Sequence, residues 1–260
     1  MKVMSVFIDG SENDRDSLRV AAMFARKLNA RLDVVHATGP EIYVVADSVA
    51  IPEQDEQADS AAKAAFDEIC AGLRNTRWIQ ADCKPADAIR RHGFFNDLIV
   101  LERVSGEEGP DAEALNIALF ETPAPVLVCP PSPPPDACTA AAVVWSPTLQ
   151  AAKAVRIALP LLHQARQVTV LVDSSNEDAD PAPLLDYLET HEIRAAVERF
   201  DGSALTARGR GRAILEATRG KADFLVMGAF GENMVSSLLG LGRTTQKIVT
   251  ATKIPTLIHC

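Results

Sequence analysis

The segment Asp223 to Cys260, DFLVMGAFGENMVSSLLGLGRTTQKIVTATKIPTLIHC, holds the residues best suited to binding chemistry. An apolar run from Phe224 to Met227 meets Gly228 and Gly231, and Gly240 and Gly242 precede a helix-like stretch. Glycine at the end of a buried strand lets the backbone turn sharply and approach a ligand, because no Cβ intervenes. Backbone N–H groups at the following helix N-terminus suit a phosphate. The same glycines would also serve a tight turn, and their spacing alone does not separate the two uses.

Other chemistry is sparse. His36, His92, His163, His191 and His259 show no HExxH or paired zinc spacing, and neither a G-x-S-x-G elbow nor a Walker lysine loop occurs. His36 falls near the end of a strand, where it either lines a cleft with Asp9 and Cys83 or makes a local hydrogen bond. The five cysteines are irregularly spaced without a CxxC pair and read as thiols of a reducing compartment. The run TARGRGRAILEA sets Arg208, Arg210 and Arg212 at the start of a helix, either as positive potential for an anion or as a solvated first turn.

The elements that must position these residues come in two matching sets. SVFIDGSENDRDSLRVAAMFARKLNARLDVVHA opens the first half, and AAVVWSPTLQAAKAVRIALPLLHQARQVTVLVDS opens the second. Each is an apolar run of strand length, a polar turn, an amphipathic helix and a second apolar run. Ser11 or Asn13 in the first half and Thr148 in the second suit the helix N-cap. Pro125 and Pro255, in the matching runs PAPVLVC and IPTLIHC, lie 130 residues apart, half the chain, which indicates a duplication. Between the halves, CPPSPPPDAC carries five prolines and reads as a semi-rigid linker. The expected domains are 1–130 and 139–260, joined by 131–138.

Each half alternates strands and helices. Strands are expected near 2–8, 31–37, 77–82, 97–101 and 125–129, then 140–145, 167–173, 193–199, 223–227 and 255–259. Helices are expected near 14–28, 57–74, 85–93 and 111–120, then 150–164, 181–191, 205–219 and 234–251. Continuous apolar strands alternating with helices predict an α/β fold of two tandem Rossmann-like domains, each a five-stranded parallel sheet covered on both faces. Ligands of such sheets collect at the carboxyl ends of the strands, near Asp9, Val104, Ser146 and Gly228. The apolar last strands are expected to cover one another, packing the halves as an intramolecular pseudo-dimer.

Bulk properties narrow the partners. A net charge of −9 argues against nucleic acid and anionic membranes. No apolar run approaches the about 20 residues that span a bilayer, and the early acidic N-terminus lacks the form of a signal peptide. A cytoplasmic location is the default expectation.

The chain resembles a tandem universal stress protein over nearly its whole length. VFIDGS at Val6 to Ser11 is similar to the family's first strand ending in Asp-Gly-Ser. The block from Asp223 to Cys260 resembles the family's G-x-x-G, nine residues, G-S/T signature with its following helix and final strand. The resemblance implies an adenine nucleotide α-hydrolase-like fold in which the strand-one aspartate contacts adenosine and the glycine loop with its Ser/Thr holds phosphates. It further implies a stress-response binding or signalling module with an unknown protein partner, and a homodimer of the whole chain. The cofactor implied is ATP or AMP, with no metal beyond the Mg²⁺ that accompanies ATP.

The two halves depart from that pattern in opposite ways. The first keeps Asp9 and Gly10 but has LERVSGEEGPDAEAL in place of the glycine loop, so Glu102, Glu107, Glu108 and Asp111 would repel phosphates. The second keeps Gly228, Gly231 and Gly242, but Ser146-Pro147-Thr148 replaces Asp-Gly-Ser. Ten residues separate Gly231 from Gly242, Arg243 takes the usual Ser/Thr position, and Thr244 follows. The expected nucleotide site is therefore Ser146, Gly228, Gly231, Gly242, Arg243 and Thr244, without catalytic or metal-ligating residues. A slow ATPase or adenylating enzyme of this fold, or a partner-binding protein with both pockets empty, is the alternative.

Overall fold

The computed structural model describes residues 1–11, 13–39, 43–45, 48–50, 56–203, 206–229 and 241–260. Gly231 and Gly240 lie outside the described residues, as does the 234–240 portion of the last expected helix.

The first half runs β1 (Val3–Ile8), α1 (Asp14–Leu28), β2 (Arg31–Ala37), β3 (Tyr43–Val45), β4 (Ser48–Ala50), α2 (Glu56–Ile69), β5 (Thr76–Ala81), α3 (Pro85–His92), β6 (Leu98–Glu102), α4 (Pro110–Phe120) and β7 (Val126–Cys129). The second runs β8 (Ala140–Trp145), α5 (Leu149–Leu162), β9 (Gln167–Asp173), α6 (Ala182–Thr190), β10 (Ala195–Phe200), α7 (Ala207–Thr218), β11 (Phe224–Gly228), α8 (Arg243–Ala251) and β12 (Thr256–His259). The expected strands and helices all appear within a few residues, apart from the undescribed part of the last helix. The helix expected over 57–74 stops at Ile69, because Cys70 to Leu73 closes a turn with Gly72 at φ +80°. The antiparallel β3–β4 pair has no counterpart in the expected strands, each member being only three residues long.

One ten-stranded sheet results, in the order β10-β9-β8-β11-β12-β7-β6-β1-β2-β5. Within each half all neighbours are parallel, and the duplicated order is that of a doubly wound sheet. The halves meet where β7 and β12 pair antiparallel, with Leu127 opposite Leu257 and Val126 opposite Ile258. This is the contact expected of the two last strands, and it removes both as open edges.

The core follows the sheet across that seam. On one face Leu127 and Leu257 join a single buried cluster with residues of α1 and α5, in which the Phe24 and Phe224 rings pack at 5.5 Å from opposite halves. On the other, Val126, Val128 and Ile258 join residues of α3, α4 and α8. The proline-rich connection is tied down at both ends. Ser132 donates its N–H to Asp16 of α1, Lys27 pairs with Asp136 at 2.8 Å, and Ala137 and Cys138 are buried in the core.

Leu127→Ala and Leu257→Ala each remove a fully buried side chain and should each cost about 2–5 kcal/mol. Because the two residues face each other, the double variant should depart from additivity by about 0.5–3 kcal/mol. Urea denaturation of the four proteins measures the coupling; strict additivity would mean that the seam is not a shared core.

Candidate functional site

Strand order reverses between β1 and β6 in the first half and between β8 and β11 in the second, the positions at which doubly wound sheets form their crevices. Equivalent strands present opposite chemistry there. Glu102 is the last residue of β6, and Gly228 is the last residue of β11.

In the second half, a Cβ placed on Gly228 would lie 2.5 Å from the Ala151 nitrogen and 2.6 Å from the Gln150 carbonyl carbon. The glycine thus lets the first turn of α5 sit directly on the strand end. Thr148 caps that helix as expected, its hydroxyl accepting the Ala151 N–H at 3.2 Å. Ser146 lies just past β8, half-buried, with its hydroxyl 3.3 Å from that of Thr148. Gly242 is the N-cap of α8, and Arg243, its first residue, is exposed. No acidic residue occupies the first turn of α8.

Thr244, expected to offer a hydroxyl to phosphate, is buried and donates it to the Ala207 carbonyl of α7 at 2.9 Å. The cause is the tight approach of the two helices at Gly211, where an added Cβ would lie 2.8 Å from the Thr244 carbonyl oxygen. Ser146 and Gly228 lie at strand ends, and Gly242 and Arg243 at the start of α8. Gly231 is outside the described residues.

The first-half crevice is acidic and narrow. Phe7, Leu101, Asp9, Asp14, Glu102 and Asp111 help to line a space of about 50 Å³, far below the roughly 300 Å³ at which ligand pockets begin. Asp9 is exposed and accepts the Ser11 N–H at 3.0 Å, closing the turn in which Gly10 takes φ +92°. Neither Ser11 nor Asn13 makes the expected side-chain cap of α1. The first helical residue, Asp14, acts instead: its buried carboxyl accepts the Gly10 N–H at 2.8 Å and the Asp9 N–H at 3.4 Å. Sequence reading missed Asp14; its position just after Asp-Gly-Ser and inside the helix start was the available signal.

Burial, then the Asp9 charge, pushes the Asp14 carboxyl up to about 7. Burial and Asp9 likewise raise Glu102 above the usual carboxylate range. The loop after β6 is occupied by its own charges. Asp111 accepts the Ser105 N–H and hydroxyl at 2.6 and 2.7 Å and the Ala112 N–H at 2.8 Å, and Glu113 shares the first turn of α4. Arg208, at the start of α7, forms an ion pair with Glu107 across the two halves.

His36 does not line this crevice. It is fully buried against Trp78, with ring centroids 5.1 Å apart, and its Nδ1 lies 3.2 Å from Gln80 Oε1. Among the described residues no group of three His, Cys, Asp or Glu side chains is arranged to hold a metal ion. The cysteines are all free, and burial raises Cys70 and Cys260 to about 11 and Cys129 and Cys138 to about 12, which disfavours thiolate chemistry. No helix among the described residues is long and apolar enough to cross a membrane.

The fold and its paired crevices define a duplicated, doubly wound α/β protein. No protein-family model matches the sequence, and no curated protein sequence does. Solved structures do match over the whole chain. A universal stress protein from Archaeoglobus fulgidus superposes with a TM-score of 0.71 at 14% identity, covering 99% of this chain and 95% of its own. A putative universal stress protein from Pseudomonas aeruginosa gives 0.62 at 14% identity, covering 100% and 93%. The fold is thus that of universal stress proteins, with two copies in one chain.

Two substitutions probe the paired crevices. Gly228→Ala drives a Cβ into α5 backbone and should destabilise by about 1–3 kcal/mol in urea denaturation. For Asp14, the folded protein holds a proton up to about pH 7, whereas the unfolded chain releases it near pH 3.9. Its contribution to stability therefore falls as pH rises from about 4 to about 7. The stability of Asp14→Asn relative to the parent should rise over that window and stay level outside it; a pH-independent difference would refute the raised carboxyl.

Proposed function

We propose that the chain is a tandem universal stress protein, a binding and signalling module that holds ATP or AMP in its second half and carries out no chemistry on it. One contrast carries this reading. Helices α4 and α8 occupy equivalent places after the central strands, and both start from glycine, yet their first turns differ in charge. Asp111 and Glu113 fill the start of α4, and Asp111 already takes a backbone N–H there. The start of α8 carries no acid and has Arg243 at its first position. A helix N-terminus attracts anions, so internal carboxylates saturate the first site while the second is suited to a phosphate.

The proposed contacts are the backbone N–H groups of the first turn of α8 and the Arg243 guanidinium on phosphate, with Ser146 toward the nucleoside. Gly228 seats the first turn of α5 against the strand end, and Mg²⁺ arrives with the triphosphate. Thr244 contributes through its backbone, since its hydroxyl is taken by α7. The loss of the strand-one aspartate at Ser146 lowers discrimination for the ribose more than it lowers phosphate affinity.

Purified protein incubated with radiolabelled ATP should retain it without turnover. Arg243→Glu should weaken retention by about tenfold or more, and Asp111→Asn in the first half should leave it unchanged. No retention by the parent protein would overturn the nucleotide reading, and retention with phosphate release would make the protein a slow ATPase.

A further inference from the structure

The edge of the second half opposite the glycine block carries a separate groove between α7 and α8. It encloses about 330 Å³ and is lined by Arg212, Arg219, Lys247 and Lys253, with Glu216 as the one carboxylate among its described residues. The floor is apolar, contributed by Leu215, Ala222, Ala251 and Ile254.

The charge balance is unusual for this chain. The protein as a whole has nine more acidic than basic charges, yet four cations meet here around one acid. That acid is already used: Glu216 pairs with Arg219 at 2.9 Å on the same helix. Arg212, Lys247 and Lys253 have no ion-pair partner among the described residues. Cations just past a helix C-terminus are expected from the helix dipole, which accounts for Arg219 and Lys253. It does not account for Arg212 and Lys247, which lie well inside α7 and α8.

The position of Lys247 is fixed by packing. Gly211 has no side chain, and a Cβ there would lie 2.9 Å from Lys247 Cβ and 3.1 Å from its Cγ. The lysine stem is thereby held against α7. The first half treats its corresponding α3–α4 junction differently. There Arg90 is neutralised by Glu121 at 2.8 Å and by Asp87 at 3.1 Å. One copy of the duplication satisfies its cation internally, and the other leaves Arg212 and Lys247 with neither a carboxylate partner among the described residues nor a helix C-terminus to account for them.

We propose that this groove binds a small phosphate-bearing anion with an apolar or planar body, at a site distinct from the glycine block. The volume lies at the lower end of the range of small-molecule pockets, and the lining sets four cations beside apolar side chains. Arginine and lysine supply charge-assisted hydrogen bonds to phosphate oxygens, stronger than neutral ones.

Inorganic pyrophosphate and AMP serve as probes, titrated into ¹⁵N-labelled full-length protein and followed by amide chemical shifts. Saturable shifts are expected at 212–222 and 247–254, tighter for AMP than for pyrophosphate because only AMP covers the floor. Arg212→Gln with Lys247→Gln should raise the dissociation constant of the groove site by about tenfold or more, with circular dichroism verifying the fold. Shifts from AMP at Gly228 and Arg243 report the nucleotide site independently, so either site can fail alone. The groove proposal is overturned if sodium chloride of equal ionic strength reproduces the shifts, if none saturate, or if the folded double variant binds as the parent does.

Discussion

The structure rests on the antiparallel pairing of β7 with β12. Each of these short strands, VLVC and TLIH, is buried almost throughout and would be an open, apolar sheet edge if its half stood alone. Such an edge presents unpaired backbone groups beside apolar side chains, an invitation to aggregate. The duplication provides the partner in the same chain, and antiparallel pairing of equivalent strands relates the halves by an approximate two-fold axis. Both apolar faces then continue from one half to the other, as the Phe24–Phe224 contact shows.

Closing the edge internally frees the two crevices to diverge. Neither is needed to hold the halves together, because the seam lies at the last strands and the crevices lie between the central ones. In the second half, Gly228 lets α5 approach to backbone contact. In the first, Glu102 occupies the equivalent strand end, and the space beside it is filled with carboxyl groups. Two raised carboxyls show that this acidity carries a cost at neutral pH. The Arg208–Glu107 pair ties the start of α7 to the acidic loop, so the halves also touch through their divergent parts.

The periodic features were legible in the sequence. β2, β8 and β9 have the expected boundaries, as does α1, because apolar runs and helical spacing are local signals. Thr148 was legible as a cap for the same reason. What escaped depends on residues distant in sequence. The Gly228–Ala151 approach, the capture of the Thr244 hydroxyl by Ala207, and the meeting of Arg212 with Lys247 each join elements whose spacing no pattern encodes. Asp14 illustrates the intermediate case: its type and position were visible, but its burial follows from how α1 docks on β1.

The sheet must also end, and the outer strands show how. Asp33 on β2 is buried, and burial alone would raise its carboxyl, but Arg77 and Arg31 outweigh this and hold it below the usual range. Arg77 reaches it from the outermost strand β5, with Nε at 2.9 Å. On the opposite flank Glu198 of β10 pairs with Lys221. Both outer strands are only partly buried and carry charge, which discourages a further strand from adding there. The chain thus treats its four half-sheet edges in two ways. The apolar pair is joined at the centre and the charged pair is left outside, which fixes the sheet at ten strands and both crevices on its interior.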